Sequence, residues 1–206
     1  MRDAKCTRDQ LLESACEIFA EKGFREATVA DICGRAGANI AAVNYHFGDK
    51  EKLYAEVWKL SFHRSLEAYP PHAGIDETSS PEDKLRAHVK SVLSRIFDEG
   101  KHGHSSKILL AEMGNPSGPM LKVMEEAISP QKKRLQGIVR ELIGKGASNR
   151  DVDLCVLSVI NQCLGFGHRR ILIDHMFRGR PDIETLSDHI TRFSLAGIRA
   201  AREGLE

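Results

Sequence analysis

The chain has 206 residues, and its 30 Lys and Arg nearly balance its 29 Asp and Glu, which leaves a formal net charge of +1. Hydrophobic residues make up 41% and charged residues 29%, so the composition excludes a disordered chain and is ordinary for a globular protein. The balance of charge also argues against a protein that holds nucleic acid by bulk positive charge.

Several other classes are excluded by simple patterns. No apolar run approaches the roughly 18 residues that a membrane-spanning helix needs, and the first residues, MRDAKC, lack the apolar core of a signal peptide. The five cysteines are scattered and contain no C-x-x-C pair, which argues against a disulfide framework or a zinc site of standard spacing. We therefore expect a cytoplasmic protein with reduced thiols and no membrane partner.

The fold class follows from the spacing of apolar residues. They recur every three or four positions along the chain and show no strand-like alternation, so we predict an all-α protein. The first helix is predicted to begin at a capping box, Thr7 to Gln10, and to end at Gly23 in the left-handed conformation.

Two short helices follow. Thr28 is placed to cap the first of them, which Gly37 ends, and Asn39 to cap the second, Ile40 to Phe47. A fourth helix begins at Lys50 after Asp49. Two short helices joined by a Gly-containing turn and braced by a longer helix form a helix-turn-helix.

The rest of the chain is predicted to be a helical bundle. After a loop over 69–81, which is rich in Pro, Gly and Ser, helices are predicted from 81 to just before Gly100, over 105–113, over 120–143 with a kink at Pro130, and over roughly 150–175 and 182–203. We thus expect a helix-turn-helix domain at 1–57 and a helical effector-binding and dimerisation domain at 58–206.

The helix-turn-helix segment resembles a known family. It is similar to the N-terminal domain of TetR-family transcriptional regulators in the run Leu11-Leu12-x-x-Ala15-x-x-Ile18-Phe19-Ala20-x-x-Gly23-Phe24, then Ala27-Thr28-Val29-x-x-Ile32, Ala36-Gly37-Ala38 and Val43-Asn44-Tyr45-His46-Phe47-x-x-Lys50-x-x-Leu53. Looser motifs further on resemble the C-terminal domain of CecR-type members, among them Glu112-Met113-x-Asn115-Pro116, Cys155-x-x-Ser158-x-x-x-Gln162-Cys163-Leu164 and Phe193-Ser194-Leu195-Ala196-Gly197-Ile198. The resemblance implies a DNA-binding half followed by an effector-binding and dimerisation half.

The third predicted helix has the character of a recognition helix. Its N-terminal side carries Ile40, Ala41, Ala42 and Asn44, whose small or amide side chains let a helix enter the major groove, where Ala can touch a thymine methyl and Asn a base edge. The resemblance adds backbone-contacting roles for Thr28, Tyr45, His46 and Lys50. Each has a plainer interpretation: Thr28 as an N-cap, Tyr45 as a packing residue, and His46 and Lys50 as solvated side chains.

Two further sites are expected in the C-terminal half. A mostly apolar effector pocket would draw on large apolar and polar candidates: Trp58, Phe62, Phe97, Met113, Met120, Met124 and Phe166, with Glu112, Asn161, Arg169 or His175. The resemblance places the dimer interface on the last two helices, with these candidates: Ser158, Gln162, Phe166, Phe193, Leu195, Gly197 and Ile198. Both sets are open to the alternative that the residues simply form the core.

No catalytic or cofactor motif stands out. There is no phosphate-binding loop, no G-x-S-x-G and no H-E-x-x-H, and His102 and His104 are two histidines in a predicted turn rather than a metal site. We expect a ligand-responsive transcriptional regulator and not an enzyme: a repressor that binds a palindromic double-stranded DNA operator as a homodimer, uses no cofactor and is released by a small-molecule effector. The alternative is a helical ligand-binding or partner-binding protein that has lost operator binding.

The distribution of charge sharpens this expectation. Residues 1–57 hold eight Lys and Arg against ten Asp and Glu, so the predicted DNA-binding half is net −2 and the remainder +3. Bulk attraction to DNA should then be weak, and a few placed donors must position the protein.

Overall fold

The computed structural model describes residues 2–76, 78–117, 120–168, 175–176, 179 and 181–204, with the side chains of residues 2–6 and of residue 168 outside that description. These residues fold into helices and connecting turns without a strand, which confirms the all-α prediction for the described chain. The helices are α1 (Arg2–Glu26), α2 (Val29–Ala36), α3 (Ile40–Phe47), α4 (Lys50–Ala68), α5 (Pro81–Phe97), α6 (His104–Gly114), α7 (Met120–Ile143), α8 (Asn149–His168) and α9 (Ile183–Glu203). A 3₁₀ turn, Lys101–Gly103, precedes α6.

Two predicted boundaries of these helices were wrong or incomplete. Helix α1 begins at Arg2, so the capping box predicted at Thr7 is not its start; the preceding Arg, Ala and Lys are good helix formers and nothing there stops the helix. Gly23 has the predicted positive φ of 70°, but its ψ of −179° is extended rather than left-handed helical, and helical residues resume after this kink.

The later boundaries agree with the sequence pattern except near the C-terminus. Helix α8 is described only to His168, short of the predicted residue 175, and most of 169–180, including Arg169, lies outside the described residues. Helix α7 runs through Pro130.

The chain divides into two compact units that do not follow its order. The first combines Met1–Ala68 with Asp98–Ala127, and the second combines Tyr69–Phe97 with Ile128–Glu206. Helix α7 contributes its beginning to the first unit and the rest to the second.

Helix α4 is at the centre of the first unit, where it packs against α1, α3 and α6. Its inward side chains include Leu53, Val57 and Trp58, each fully buried, and Tyr54, only 1% exposed. The Trp58 ring stacks on Phe62 at 4.9 Å between centroids, so this helix carries much of the unit's core.

The second unit is built on the packing of α5 with α8 and α9. Its core draws on α5, α7, α8 and α9, with Leu85, Val139, Cys163 and Ile190 each fully buried. Ion pairs join α5 to α9 at its rim, Lys90 with Glu184 at 2.5 Å and Arg86 with Asp188. Among the helices of the described residues, none combines the length and hydrophobicity that a membrane span requires.

Candidate nucleic-acid interface

The ends of helices α2 and α3 are fixed by caps formed by residues next to them in the sequence. The Thr28 hydroxyl oxygen accepts from the Asp31 amide at 3.0 Å, and the Thr28 amide donates to the Asp31 carboxylate at 3.1 Å. Gly37 ends α2 at φ 63°, ψ 30°, and the Asn39 side-chain oxygen accepts from the Ala41 amide at 3.0 Å to begin α3. These short-range bonds set the turn between the two helices.

The Asp31 carboxylate is also held electrostatically. A hydrogen bond from Lys22, at 3.0 Å, and the two bonds from Thr28 lower the pKa of Asp31 to about 2. The carboxylate therefore stays ionised at the N-terminus of α2, where negative charge is favoured by the helix dipole.

Helix α3 is anchored from one face and presents the other. Val43 is fully buried and Phe47 is 5% exposed, whereas Ile40 is 53% and Tyr45 82% exposed. Because most of the Tyr45 side chain is exposed, it does not pack into the core of its unit, and the packing role that the sequence left open is excluded.

The remaining candidates on this surface differ in how far they reach solvent. Ala41 and Asn44 are exposed, while Ala42, His46 and Lys50 are half-buried. The Lys50 ammonium lies 4.5 Å from the centre of the Phe24 ring, a cation–π contact that fixes it beside the start of α4. The structure thus brings Thr28, Asn44, Tyr45, His46 and Lys50 onto the α2–α3–α4 region of the first unit, where the sequence placed them.

Sequence reasoning overlooked one donor on this surface. It treated Asn39 only as a cap, but a cap uses its side-chain oxygen and leaves the amide NH₂ free to donate outward. Its exposure immediately before the recognition helix was the available signal.

Several cations of this region are already engaged by carboxylates. Lys22 pairs with Asp31, Arg35 with Glu17 and Glu21, and Arg8 with Glu56. Arg8 also lies 5.1 Å from the centre of the Phe47 ring, so it braces the end of α3. These pairs account for much of the local charge balance of the helix-turn-helix, so helix N-termini, hydroxyls and amides join Lys50 as the outward donors.

The effector-pocket candidates are divided between the two compact units. Those in the first unit are Trp58, Phe62, Glu112, Met113, Met120 and Met124, and those in the second are Phe97, Asn161 and Phe166. Met113 is 52% exposed, and Asn161 and His175 are exposed as well. Their roles in ligand binding stay predictions.

Two of these candidates have clear structural partners. The Trp58 indole donates to the Ser105 carbonyl at 3.2 Å. The buried Glu112 carboxylate accepts from the Tyr54 hydroxyl at 2.9 Å and from the Ser117 amide and hydroxyl at 2.8 and 2.9 Å. Burial and then the Glu112 charge raise the pKa of Tyr54 well above its ordinary value, so the phenol remains a donor to the carboxylate.

A shallow groove borders this buried network. It has a volume of about 200 Å³ and is lined by residues of α1, α4, the connection after α6 and the start of α7: Phe24, Glu51, Lys52, Tyr54, Ala55, Ser117, Met120 and Val123. Small-molecule pockets usually measure roughly 300–1,000 Å³, so this groove alone is small for an effector. In the part of the chain that the structure describes, no group of three or more His, Cys, Asp and Glu side chains is placed to hold a metal ion.

The candidates for a dimer interface are divided between surface and core. Phe193 is 64% exposed, Ser158 and Gly197 are exposed, and Gln162 and Leu195 are half-buried. The Gln162 amide donates to the Ser194 hydroxyl at 3.2 Å, which joins α8 to α9. Ile198 is 3% exposed and belongs to the core of its own unit, the alternative that the sequence left open.

Sequence reasoning missed two apolar residues on the same helices. Leu154 and Leu157 on α8 are 54% and 55% exposed, one turn apart, and continue the exposed side that Ser158 belongs to. Exposed leucines at this spacing, and the exposed Phe193 on α9, are apolar surface of the kind that marks protein contacts.

Comparison with known proteins decides the family. The model of the C-terminal domain of the HTH-type transcriptional dual regulator CecR matches residues 81–198, and the model of bacterial regulatory proteins of the tetR family matches residues 11–57. The chain belongs to the TetR family of bacterial transcriptional regulators. Its second matched region is the CecR-type C-terminal domain, so both resemblances expected from the sequence are confirmed.

Curated relatives are regulators as well. The chain is similar to the HTH-type transcriptional dual regulator CecR of Shigella flexneri, with 29% identity over 81% of this chain and 78% of the relative. It is 25% identical to the HTH-type transcriptional repressor KstR2 of Mycobacterium tuberculosis over 71% of this chain and 72% of the relative. This TetR-family member is thus a transcriptional regulator with a DNA-binding helix-turn-helix.

A solved structure shows the same fold over nearly the whole chain. The regulator FadR from Bacillus subtilis, crystallised in complex with stearoyl-CoA, superposes with a TM-score of 0.72, and the match covers 92% of this chain and 98% of FadR. The two sequences are only 19% identical, so the likeness establishes the architecture.

The caps of the helix-turn-helix make the first prediction. Replacing Thr28 with Ala removes the oxygen that accepts from Asp31, so the free energy of unfolding should fall by about 1 kcal/mol, whereas Thr28→Ser keeps the oxygen and should stay close to the parent. Urea unfolding followed by circular dichroism measures both. Equal stability of the two variants would show that the cap contributes nothing.

Proposed function

We propose that this TetR-family regulator is a repressor that binds a palindromic operator as a homodimer and is released by a small-molecule effector. The observation that carries the DNA-binding part is the exposed face of α3. That face combines small side chains, an amide and an 82%-exposed tyrosine on a helix whose other face is fixed in the core.

The chemistry of the α3 face fits the major groove. Ile40, Ala41 and Ala42 offer apolar contacts to thymine methyl groups, and Asn44 can bond a base edge. Thr28, Tyr45, His46 and Lys50 lie around them as candidate contacts to phosphates, and Thr28 also caps the start of α2. The Asn39 amide adds a donor at the same helix start.

Dimer formation follows from the geometry of reading DNA. A short recognition helix contacts only a few base pairs, and a two-fold dimer reads two half-sites about one helical turn apart. The exposed Leu154, Leu157 and Phe193 on α8 and α9 support these helices as the pairing surface, together with the small Gly197 that permits close approach.

Release by an effector is supported by the relatives. KstR2 is described as a repressor, and FadR was crystallised with stearoyl-CoA, so a regulator of this fold can accommodate a small molecule. The conformations of the dimer differ in the distance between its two recognition helices. An effector that binds preferentially to a conformation that does not fit the operator lowers the population of the one that does. Such a regulator acts in the cytoplasm, on double-stranded DNA, without a catalytic role.

Substitutions of Tyr45 test the proposed phosphate contacts. Both Tyr45→Ala and Tyr45→Phe should weaken binding about fivefold or more on every DNA sequence, because each loses a hydrogen bond to the backbone. Ala42→Ser lies on the base-reading side and should instead change which operator sequence is preferred. Mobility-shift titrations on the DNA upstream of the chain's own gene measure both effects.

The same assay separates the proposal from its alternative. A dimer that gives no shift on this DNA at low salt would mean that the protein has lost operator binding. Tyr45→Phe with unchanged affinity would remove the hydroxyl from the interface.

The pairing surface makes a separate prediction. Leu157→Glu puts a charge into the proposed dimer contact and should convert the dimer to a monomer by light scattering after size exclusion. Leu121→Glu is the matched control, since Leu121 is 57% exposed on α7 in the other compact unit and should leave the dimer intact. A Leu157→Glu protein that remains dimeric would place the interface elsewhere.

A further inference from the structure

The exposed face of α3 is small and carries no charge. The side chains that share it lie within about 140° of arc at 3.6 residues per turn: Ile40, Ala41, Asn44 and Tyr45. Ile40 and Tyr45 are 53% and 82% exposed, Ala41 and Asn44 are exposed as well, and the half-buried Ala42 lies at the edge. The centre of the face is therefore made of apolar groups and one carboxamide, with a phenol beside them.

The side chains that most often recognise guanine are missing from this helix. Arg and Lys pair with the O6 and N7 acceptors of guanine in the commonest specific contact, and the sequence of α3, IAAVNYHF, contains neither. His46 is half-buried and lies outside the exposed face. Two nearby cations are engaged on other helices: Arg35 of α2 pairs with Glu21 at 3.1 Å. The Lys50 ammonium of α4 lies 4.5 Å from the centre of the Phe24 ring. A guanine in front of α3 therefore meets no cationic partner on this helix.

The two asparagines at α3, Asn39 and Asn44, differ in what they offer to a base. Adenine presents its N7 as an acceptor and its N6 amino group as a donor, so it matches a carboxamide whose NH₂ and oxygen are both available. The Asn39 side-chain oxygen already accepts from the Ala41 amide at 3.0 Å. Asn44 is exposed, and it contributes to the end of α3 through its backbone carbonyl, which accepts from the Gly48 amide at 3.0 Å. The Asn44 carboxamide is therefore the one suited to both bonds with adenine.

The apolar members of the face, Ile40 and Ala41, match a different group in the major groove. The apolar group that base pairs display there is the 5-methyl of thymine. Ile40 begins α3 with more than half of its surface exposed, and Ala41 follows it at the same end of the helix. Covering these side chains with methyl groups removes apolar surface from water on both partners, which favours binding. Cytosine lacks this methyl, so the gain depends on thymine.

We propose that α3 selects A·T base pairs in each operator half-site. Ile40 and Ala41 pack on thymine methyl groups, and Asn44 holds an adenine through its N6 and N7. These three side chains determine specificity at the base pairs that they contact, while Thr28 and Tyr45 position the helix on the DNA backbone. Because α3 carries no partner for guanine, G·C pairs are disfavoured at the same positions. This inference rests on the proposed binding of an operator.

Base analogues that differ from the natural base at one group test this inference. The full-length protein first selects its half-sites from a pool of randomised DNA duplexes, and the most constrained positions should be A·T pairs. Replacing a contacted thymine with uracil removes only the 5-methyl group and should weaken binding about fourfold per methyl in mobility-shift titrations. Replacing the contacted adenine with 7-deazaadenine removes the N7 acceptor and should weaken binding about fivefold.

Matched variants assign each effect to a side chain. Ile40→Ala should bring the ratio of thymine to uracil affinity close to one at the position that Ile40 contacts, whereas Tyr45→Phe should weaken binding to both DNAs and keep the ratio. Asn44→Ala should bind adenine and 7-deazaadenine DNA equally. Asn39→Ser is its control, because serine retains an oxygen for the cap and lacks the carboxamide, so the sensitivity to 7-deazaadenine should remain.

The outcomes separate this inference from the proposed function. G·C pairs at the constrained positions, or uracil DNA that binds as tightly as thymine DNA throughout, would overturn the selection of A·T pairs and retain a DNA-binding regulator. Affinity ratios that stay unchanged in both Ile40→Ala and Asn44→Ala would also overturn it, because other side chains would then recognise these bases. A protein that selects no DNA from the pool would reject the operator binding itself.

Discussion

Helix α4 begins three residues after the end of α3, and the packing of its buried face determines which side of α3 is exposed to solvent. Leu53, Tyr54, Val57 and Trp58 form this face, and burial of a large apolar side chain contributes about 1.5–3 kcal/mol. Because α4 packs against α1, α3 and α6 together, its position is set from three sides. The Tyr54–Glu112 hydrogen bond makes this packing specific, because loss of its donor would leave a buried carboxylate at a large cost in free energy.

The helix-turn-helix is built to read DNA without bulk positive charge. Ion pairs such as those of Lys22 and Arg35 neutralise cations inside the region, and hydroxyls, amides and helix starts supply the outward donors. This arrangement predicts an affinity that depends on geometry and on the proposed pairing of two subunits more than on net charge, with a salt dependence set by a few phosphate contacts.

The features that depend on near neighbours in the chain could be predicted from the sequence. Thr28, Gly37, Asn39 and Asp49 each act within four residues, so the bounds of α2 and α3 and the start of α4 followed from local chemistry. The predicted start of α1 was wrong. Thr7 can cap a helix, but nothing in the sequence before it stops one. A cap marks where a helix can begin and does not forbid an earlier start.

Features that depend on distant parts of the chain could not be predicted in this way. The pairing of residues 98–127 with the N-terminal segment, the bond from Tyr54 to Glu112 and the burial of Arg95 all arise when remote parts of the chain meet. An arginine in a helical sequence is indistinguishable from a solvated one until its neighbours are known. The exposure of Tyr45, by contrast, was foreseen only through the family resemblance and is now seen directly.

The most direct test of this account is amide hydrogen exchange of the protein with and without operator DNA. The amides in the first turns of α2 and α3 lie at the proposed interface and have few partners within their own helices. Exchange should slow there, over residues 28–31 and 40–44, when DNA is added. Specific DNA binding with unchanged exchange in both turns would contradict the claim that α3, held by α4, is the element that reads DNA.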